Sequence, residues 1–506
     1  MTTHLIQPER EAFRTLAASG NLIPVSTVLI SDVETPVSAF RKLDEEGGYS
    51  FLLESAENSE EGGRYSIVGH RPRTLFQARG REIEVTENGE TTRFSSGESD
   101  PLRDLEKLMA RYRPVRLPEL PRFVGGAVGF ISYDAVRFFE PSVGELPPDV
   151  LGVPDMIFLI TDTLLIFDHK LRQIRILANA YLEGTDPDTA YDIACEKIEA
   201  LLERLARPAL LPQVNTAQET TANPPGSNTT REEYHRMVEK VQEYIHAGDV
   251  FQTVPSQRFE VDYDGDALHL YRALRYINPS PYLFCLKFGG QFSLVGSSPE
   301  VHVRAIGGEI TIRPIAGTRR RGETPEEDEA NAVELLADAK ERAEHLMLVD
   351  LARNDVGRIA EYGSVKVTDF MTIERYSHVM HIVSNVTGRL REGNSSYDVM
   401  RATFPAGTVS GSPKIRAMQI ISECEKSRRG AYAGAVGYFG FDGNHDSCIT
   451  LRSALLKDGK AYVQAGGGVV ADSSPEGEYQ ESVNKAKAVI RAIEHASAAA
   501  PRCHHH

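Results

Sequence analysis

Residues 447–468 read SCITLRSALLKDGKAYVQAGGG. Two apolar-rich runs flank Asp458-Gly459, a dipeptide that tolerates positive φ and so closes tight antiparallel hairpins. The spacing predicts strands over 447–456 and 460–465. A parallel pair would need a crossover of a dozen or more residues, for which there is no room. Asn88-Gly89 signals a second hairpin between IEV and TTRF. Further strands are expected near 282–288, 292–295, 300–305, 309–314 and 434–441. Helices are expected over Pro101–Arg111, with Asp100 as N-cap, and near 186–205, 325–352, 396–403, 412–424 and 475–496. Another starts at Thr230, where Glu233 completes a capping box and Tyr234, Met237, Val238, Val241, Tyr244 and Ile245 share one face. Hairpins mixed with helices, without a βαβ rhythm, argue for an α+β fold with antiparallel sheets.

The 506 residues divide at 207–230, RPALLPQVNTAQETTANPPGSNTT, a Pro/Thr/Asn/Ser-rich stretch without apolar periodicity that reads as a linker or surface loop. It separates a β-rich part, 1–206, from a second part, 231–500. Residues 501–506 form a tail whose Cys503-His504-His505-His506 reads as a tag remnant. Lys+Arg 56 against Asp+Glu 72 gives a net charge of -16, which disfavours nucleic acid and anionic membranes as partners. Five scattered cysteines without CxxC spacing suit a reducing cytoplasm. The start, MTTHLIQPER, lacks the basic and apolar regions of a signal peptide, and no apolar run is long enough to span a bilayer.

Several strings carry chemistry. Residues 313–322 read RPIAGTRRRG and 251–256 read FQTVPS; Glu300 ends GSSPE, where its plain reading is an edge-strand carboxylate. Glu341 and Glu344 lie one turn apart on one helix, Glu478 and Glu481 on another, a spacing that by itself is usually solvated surface. Two such pairs also supply hard oxygen ligands of the kind Mg²⁺ takes. Residues 407–414, GTVSGSPK, lead into a helix and offer backbone N–H groups to an anion, as does the glycine run Gly466-Gly467-Gly468. Arg452 stands in ITLRSALL, with little polar surface beside it, Tyr432 in RRGAYAGAVGYF and His381 in SHVMHIVS. A histidine among apolar residues is ordinarily a core residue. Apart from these, FLLES (51–55) and NPSPYL (278–283) read as a buried strand and a proline turn.

In order and spacing these strings resemble the large synthase subunits of the anthranilate synthases, within the chorismate-utilising enzymes. The resemblance runs from about Leu52 to Ile493. It implies a large fold with antiparallel sheets in a sandwich core and helices packed outside. It also implies conversion of chorismate and ammonia to anthranilate and pyruvate in tryptophan biosynthesis. In the aminodeoxychorismate branch a nucleophilic lysine occupies the position of Ala316, and isochorismate and salicylate synthases keep a water-activating lysine where this chain has Gln252. Neither residue offers a basic nitrogen, so ammonia remains as the nucleophile. By the same resemblance Glu300 is the general acid, with His381, Thr408 and Gln252 beside the reacting ring. Gly317, Thr318, Tyr432, Arg452, Gly466, Gly467, Gly468 and Lys414 contact substrate. Glu344 and Glu481 hold Mg²⁺, with Glu341 and Glu478 behind them or bound through water. The family usually has Gly-Ala-Gly where this chain has three glycines.

Glu54 and Ser55, with Asn278, Pro281, Tyr282 and Leu283, match the two halves of an L-tryptophan feedback site. No cysteine sits in a glutaminase-like segment, so ammonia is expected from a separate glutamine amidotransferase subunit. Two other readings stay open at this point: an aminodeoxyisochorismate synthase that stops before pyruvate loss, and a non-catalytic tryptophan-binding regulator.

Overall fold

The computed structural model describes residues 5–56, 63–212, 214, 225–376 and 379–499. Asp458-Gly459 closes the expected hairpin: Ser453–Lys457 pairs antiparallel with Lys460–Gly466, Lys457 opposite Lys460. The strand expected over 447–456, however, is two strands. His445–Ile449 lies in one large sheet and Ser453–Lys457 in another, and the chain passes between them at Thr450–Arg452. Apolar alternation runs through this corner and so conceals it. The backbone turns at Arg452, whose φ of +46° lies in the left-handed region.

The two sheets have 11 and 12 strands. Phe51, Phe284, Phe288 and Phe292 of the first meet Phe130, Leu159 and Val436 of the second in a shared core. Strand alternation sends Phe284 and Leu286 into that core, while Leu283 and Cys285 face an outer layer of helices. That layer comprises Pro36–Leu43, Pro187–Leu205, Ala267–Ile277 and Pro475–Ala499, which bury Phe40, Ile198, Tyr271 and Ile493. Pro101–Met109, Ser396–Thr403 and Lys414–Cys424 cover the outer face of the second sheet. Ala339–Gly357 packs on its strands Val301–Ile306 and Val379–Arg389.

Both sheets draw on both parts of the chain. Tyr49–Glu54 pairs with Tyr282–Phe288 in the first sheet, and Gly126–Ile131 with Ala435–Gly440 in the second. Within the 207–230 stretch, Gly226–Ser227 adds a short edge strand to Ser256–Asp262. Residues 213 and 215–224 lie outside the described residues, as does the 501–506 tail. The second sheet ends at Glu90–Ser95, exposed along its whole length.

The expected helix 325–352 is two helices, Pro325–Ala337 and Ala339–Gly357. Asp338 separates them: its backbone is extended and its carboxylate accepts the Lys340 and Glu341 N–H groups. A good N-cap inside an otherwise helical pattern restarts the helix in a new direction. The segment RPIAGTRR is also a strand, Ile315–Arg320, against Val379–Arg389. Gly317 makes the irregularity in that pairing, at φ +68°.

Candidate active site

The chain crosses between the sheets twice, side by side. Phe292–Ser298 belongs to the first sheet and Val301–Ile306 to the second, so Pro299-Glu300 makes one crossing, and Thr450–Arg452 makes the other. Three hydrogen bonds lace them together. Ser298 Oγ donates to the Ile449 carbonyl (2.6 Å), Ile449 N–H to the Glu300 carbonyl (3.1 Å) and Ser297 N–H to the Arg452 carbonyl (3.1 Å). Residues at a crossing have left both ladders, and there Glu300 and Arg452 lie close enough to feel each other's charge. Burial pushes the Glu300 carboxyl up to about 8, against the pull of Thr408, Lys485 and Arg452. The Thr408 hydroxyl lies beside it without a hydrogen bond of ordinary geometry. Burial likewise lowers the Arg452 guanidinium, while Glu300 raises it.

A carboxylate cluster forms the adjoining wall. Glu344, from Ala339–Gly357, is raised by burial and then by the charges of Glu341 and Glu481. Glu478, from Pro475–Ala499, is raised by burial, with Glu481 and Glu344 adding. Ser473 Oγ donates to Glu478 Oε1 (2.7 Å), and Oε2 is buried without a partner. Arg319 draws on Glu341 (3.1 Å). Among the described residues no three His, Cys, Asp or Glu side chains form a closed metal-ligand set.

Lys485, which the sequence reading passed over, pairs with Glu481 (2.6 Å) and donates to the Gly466 carbonyl (3.1 Å). Its spacing of four from Glu481 was the available signal.

Space requires glycine at Gly466, where backbone is in the way, while at Gly467 and Gly468 the obstacle is a side-chain end. A Cβ would stand 2.2 Å from Pro255 O at Gly466, 2.3 Å from Glu478 Oε2 at Gly467 and 2.5 Å from Gln252 Nε2 at Gly468. Gln252 is buried, its amide serves Glu344, and its Oε1 has no partner. Tyr432 is buried with its phenol at the Gly466 backbone. Gly317 brings Thr318 and the histidine together: His381 Nδ1 donates to the Gly317 carbonyl (2.8 Å), and Thr318 Oγ1 lies 3.1 Å from the same nitrogen. That carbonyl fixes the tautomer and leaves Nε2 with its lone pair. Burial lowers the His381 pKa, so the ring is neutral.

Lys414 is placed differently from the substrate contact expected of it. Its ammonium donates to both oxygens of Asp355 (2.8 and 2.7 Å) and to the Thr403 carbonyl (3.1 Å), so its three protons are taken. Thr408 also stands on a separate 3-10 turn, Gly407–Val409, while the helix begins only at Lys414.

The two strings of the second constellation lie side by side, with Leu283 opposite Glu54. Glu54 is buried against the helix layer, where it takes the Tyr271 hydroxyl, the Ser66 hydroxyl (3.1 Å) and the Arg275 guanidinium (3.3 Å). Beyond the end of the Glu54 strand, past Ser55, Ala56 N–H donates to the Ser280 carbonyl (3.1 Å), next to Pro281. Asn278 contacts Ser297, three residues before Glu300. Tyr282 turns away: its hydroxyl donates to Asp446 (2.7 Å) in the inter-sheet layer, because neighbouring strand residues face opposite ways.

The family described as chorismate binding enzyme matches residues 49–491. Anthranilate synthase component 1 of Acetivibrio thermocellus is 44% identical over 499 residues, 97% of this chain and 99% of that protein. The Pseudomonas aeruginosa protein of the same name is 47% identical over 489 residues, 96% of this chain and 98% of its own length. The crystal structure of anthranilate synthase component I from Streptococcus pneumoniae TIGR4 has a TM-score of 0.75 at 37% identity, covering 91% of this chain and 98% of that one. The menaquinone-specific isochorismate synthase from Escherichia coli shares the fold, with a TM-score of 0.68 at 18% identity over 96% of this chain and 98% of that one. With its sandwich, its paired crossings and these similarities together, the chain belongs to the chorismate-binding enzymes and, among them, to the anthranilate synthase component 1 group.

Proposed function

We propose that this chain converts chorismate and ammonia to anthranilate and pyruvate, as the synthase component of an anthranilate synthase in tryptophan biosynthesis. The observation that carries the reading is Glu300, a carboxyl held protonated to about pH 8 beside a half-buried arginine. Chorismate brings carboxylates and a poor leaving group, the C4 hydroxyl. Arg452 takes a carboxylate as a bidentate pair. Glu300 gives its proton to the departing hydroxyl, which leaves as water while ammonia attacks C2 with allylic rearrangement. Ala316 and Gln252 offer no competing amine. Aromatisation then requires loss of the C2 hydrogen and of pyruvate, and neutral His381, with Nε2 unprotonated, is the base best placed by its tautomer. The glycine run keeps side chains clear of the ring's approach.

The carboxylate wall fits Mg²⁺. Buried like charges raise one another, and Glu478 Oε2 lacks any partner, so a hard cation would relieve both penalties. Glu344 and Glu481 would hold it, with Glu341 and Glu478 behind them, and when bound it anchors a chorismate carboxylate.

Ammonia comes from a separate glutamine amidotransferase subunit. Supporting this, burial raises all four described cysteine thiols, Cys195, Cys285, Cys424 and Cys448, so none is poised as a thiolate nucleophile. Free thiols and the absence, among the described residues, of a helix long and apolar enough to cross a membrane agree with a cytoplasmic enzyme. L-Tryptophan binds the Glu54–Leu283 constellation and inhibits, a reading supported by the nearness of Asn278 to Ser297. The test is anthranilate fluorescence from the purified chain with chorismate, Mg²⁺ and ammonium, with and without tryptophan. A magnesium-dependent signal suppressed by tryptophan is expected. Chorismate consumption without fluorescence would instead mean a synthase that stops at aminodeoxyisochorismate, and no consumption would refute the enzymatic reading.

A further inference from the structure

Of the carboxylates in the wall, Glu341 stands apart from the rest. It lies one turn before Glu344 on Ala339–Gly357, close enough that its charge helps raise the Glu344 carboxyl. On spacing alone it is a candidate third ligand beside Glu344 and Glu481. Both of its oxygens, however, are turned toward the strand Ile315–Arg320. Oε1 accepts from Arg319 Nη1 (3.1 Å), and Oε2 sits over Gly317, where a Cβ would stand 3.2 Å away.

Arg319 is itself firmly held. Its Nη2 donates to Asp338 (2.9 Å), the N-cap of the helix that carries Glu341. Its Nη1 also donates to the Thr318 carbonyl (3.1 Å), and its Nε to Glu334 (3.3 Å) of Pro325–Ala337. A planar fork engaged at every nitrogen has little freedom to turn away. Lys485, the other cation at the wall, differs. It and Glu481 are each 47% exposed and pair within one helix, a contact that exchanges readily with water.

We propose that Arg319 withholds Glu341 from the metal, so that Mg²⁺ binds the free chain weakly and is held firmly only once chorismate adds its own carboxylate. The proposal rests on the reading of the wall as a Mg²⁺ site. Mg²⁺ usually takes one or two protein carboxylates and leaves its other positions to water and substrate. A third carboxylate would tighten the ion on the free chain and fill a position the substrate needs. By holding Glu341 back, Arg319 makes metal and chorismate raise each other's affinity. It is a positioning residue, acting on the metal only through Glu341.

The test is binding of Mn²⁺, a hard cation suited to the same oxygens, counted by EPR on the full chain without ammonium, with and without chorismate. In the parent, chorismate should tighten Mn²⁺ binding. In R319M and R319Q, Mn²⁺ alone should bind about tenfold tighter, and the effect of chorismate should shrink by the same factor. Removing a cation favours Mn²⁺ by charge alone, so two double variants of equal net charge separate the causes. R319M/E341Q should return to the parent affinity, whereas R319M/E334Q should stay tight, with Tm confirming that each variant folds. Unchanged or weaker Mn²⁺ binding in both single variants would make Arg319 a structural residue and overturn the proposal. So would tight binding that persists in R319M/E341Q, or a return to the parent affinity in R319M/E334Q, which would leave only long-range charge. E344Q must lose Mn²⁺ with Arg319 in place; if it does not, the assignment of the wall as the metal site fails, and the proposal with it.

Discussion

At the scale of single residues the decisive feature is how far burial moves a carboxyl. A general acid works while protonated, so with Glu300 near 8 its competent fraction falls as pH rises through that value. Calculated per concentration of free NH₃, kcat/KM for chorismate should be flat below about pH 8 and lose about tenfold per unit above it. Replacing Glu300 by Gln should cost about 10²–10⁴-fold in chorismate consumption with the far-UV spectrum unchanged. Gly467→Ala probes the carboxylate wall. The new methyl would meet only the flexible end of Glu478, at 2.3 Å, so the fold should survive while that carboxylate moves. A magnesium titration of activity should then shift to higher concentration, with little change in Tm.

Between elements, a buried ion pair fastens the loops of the site. Arg429 is 2% exposed and donates to Glu425 (2.7 Å), to the Val409 carbonyl (2.7 Å) and to the Val254 carbonyl (2.6 Å). Glu425 in turn accepts from Ser256 N–H (2.9 Å). Arg429→Met would leave Glu425 buried and unpaired, and urea unfolding should show a loss of about 3–5 kcal/mol. This fastening joins the Gln252 and Thr408 segments, and nothing in RRGAYAGAVGYF announces it, because a sequence does not say which arginine is inside. The elements legible in advance were those with local chemistry: the Asp458-Gly459 hairpin, the Asp100 cap (3.1 Å to Arg103 N–H) and the Thr230–Glu233 box. The break at Asp338 and the sheet change at Thr450–Arg452 were hidden, since apolar periodicity continues across both. Lys366–Arg375, Val379–Arg389 and the helix Ala267–Ile277 were not anticipated. Most of the site was legible only because the strings matched a family in order. Lys414 shows the limit of that carry-over, since its setting is fixed by Asp355, a residue outside the string.

For the whole molecule, the two parts of the chain build the same two sheets, so neither part owns a complete core. Residues 1–212 and 225–506 expressed together as separate chains should copurify and unfold in one transition; independent melting of two species would contradict the shared sandwich. The same width raises a problem of surfaces. A sheet of 12 strands must end somewhere, and an open edge presents unpaired N–H and C=O groups to any passing chain. Here the last strand, Glu90–Ser95, is exposed throughout, and Arg93 is tied to Glu84 of the neighbouring strand (2.6 Å). A second copy adding itself there would have to strip water from Glu90 and Arg93, with Phe94 alone offering it apolar surface in return. A charged, water-facing strand thus stands at one end of this sheet, a place where growth into a fibre could begin, and helps keep a very broad sheet from becoming an endless one.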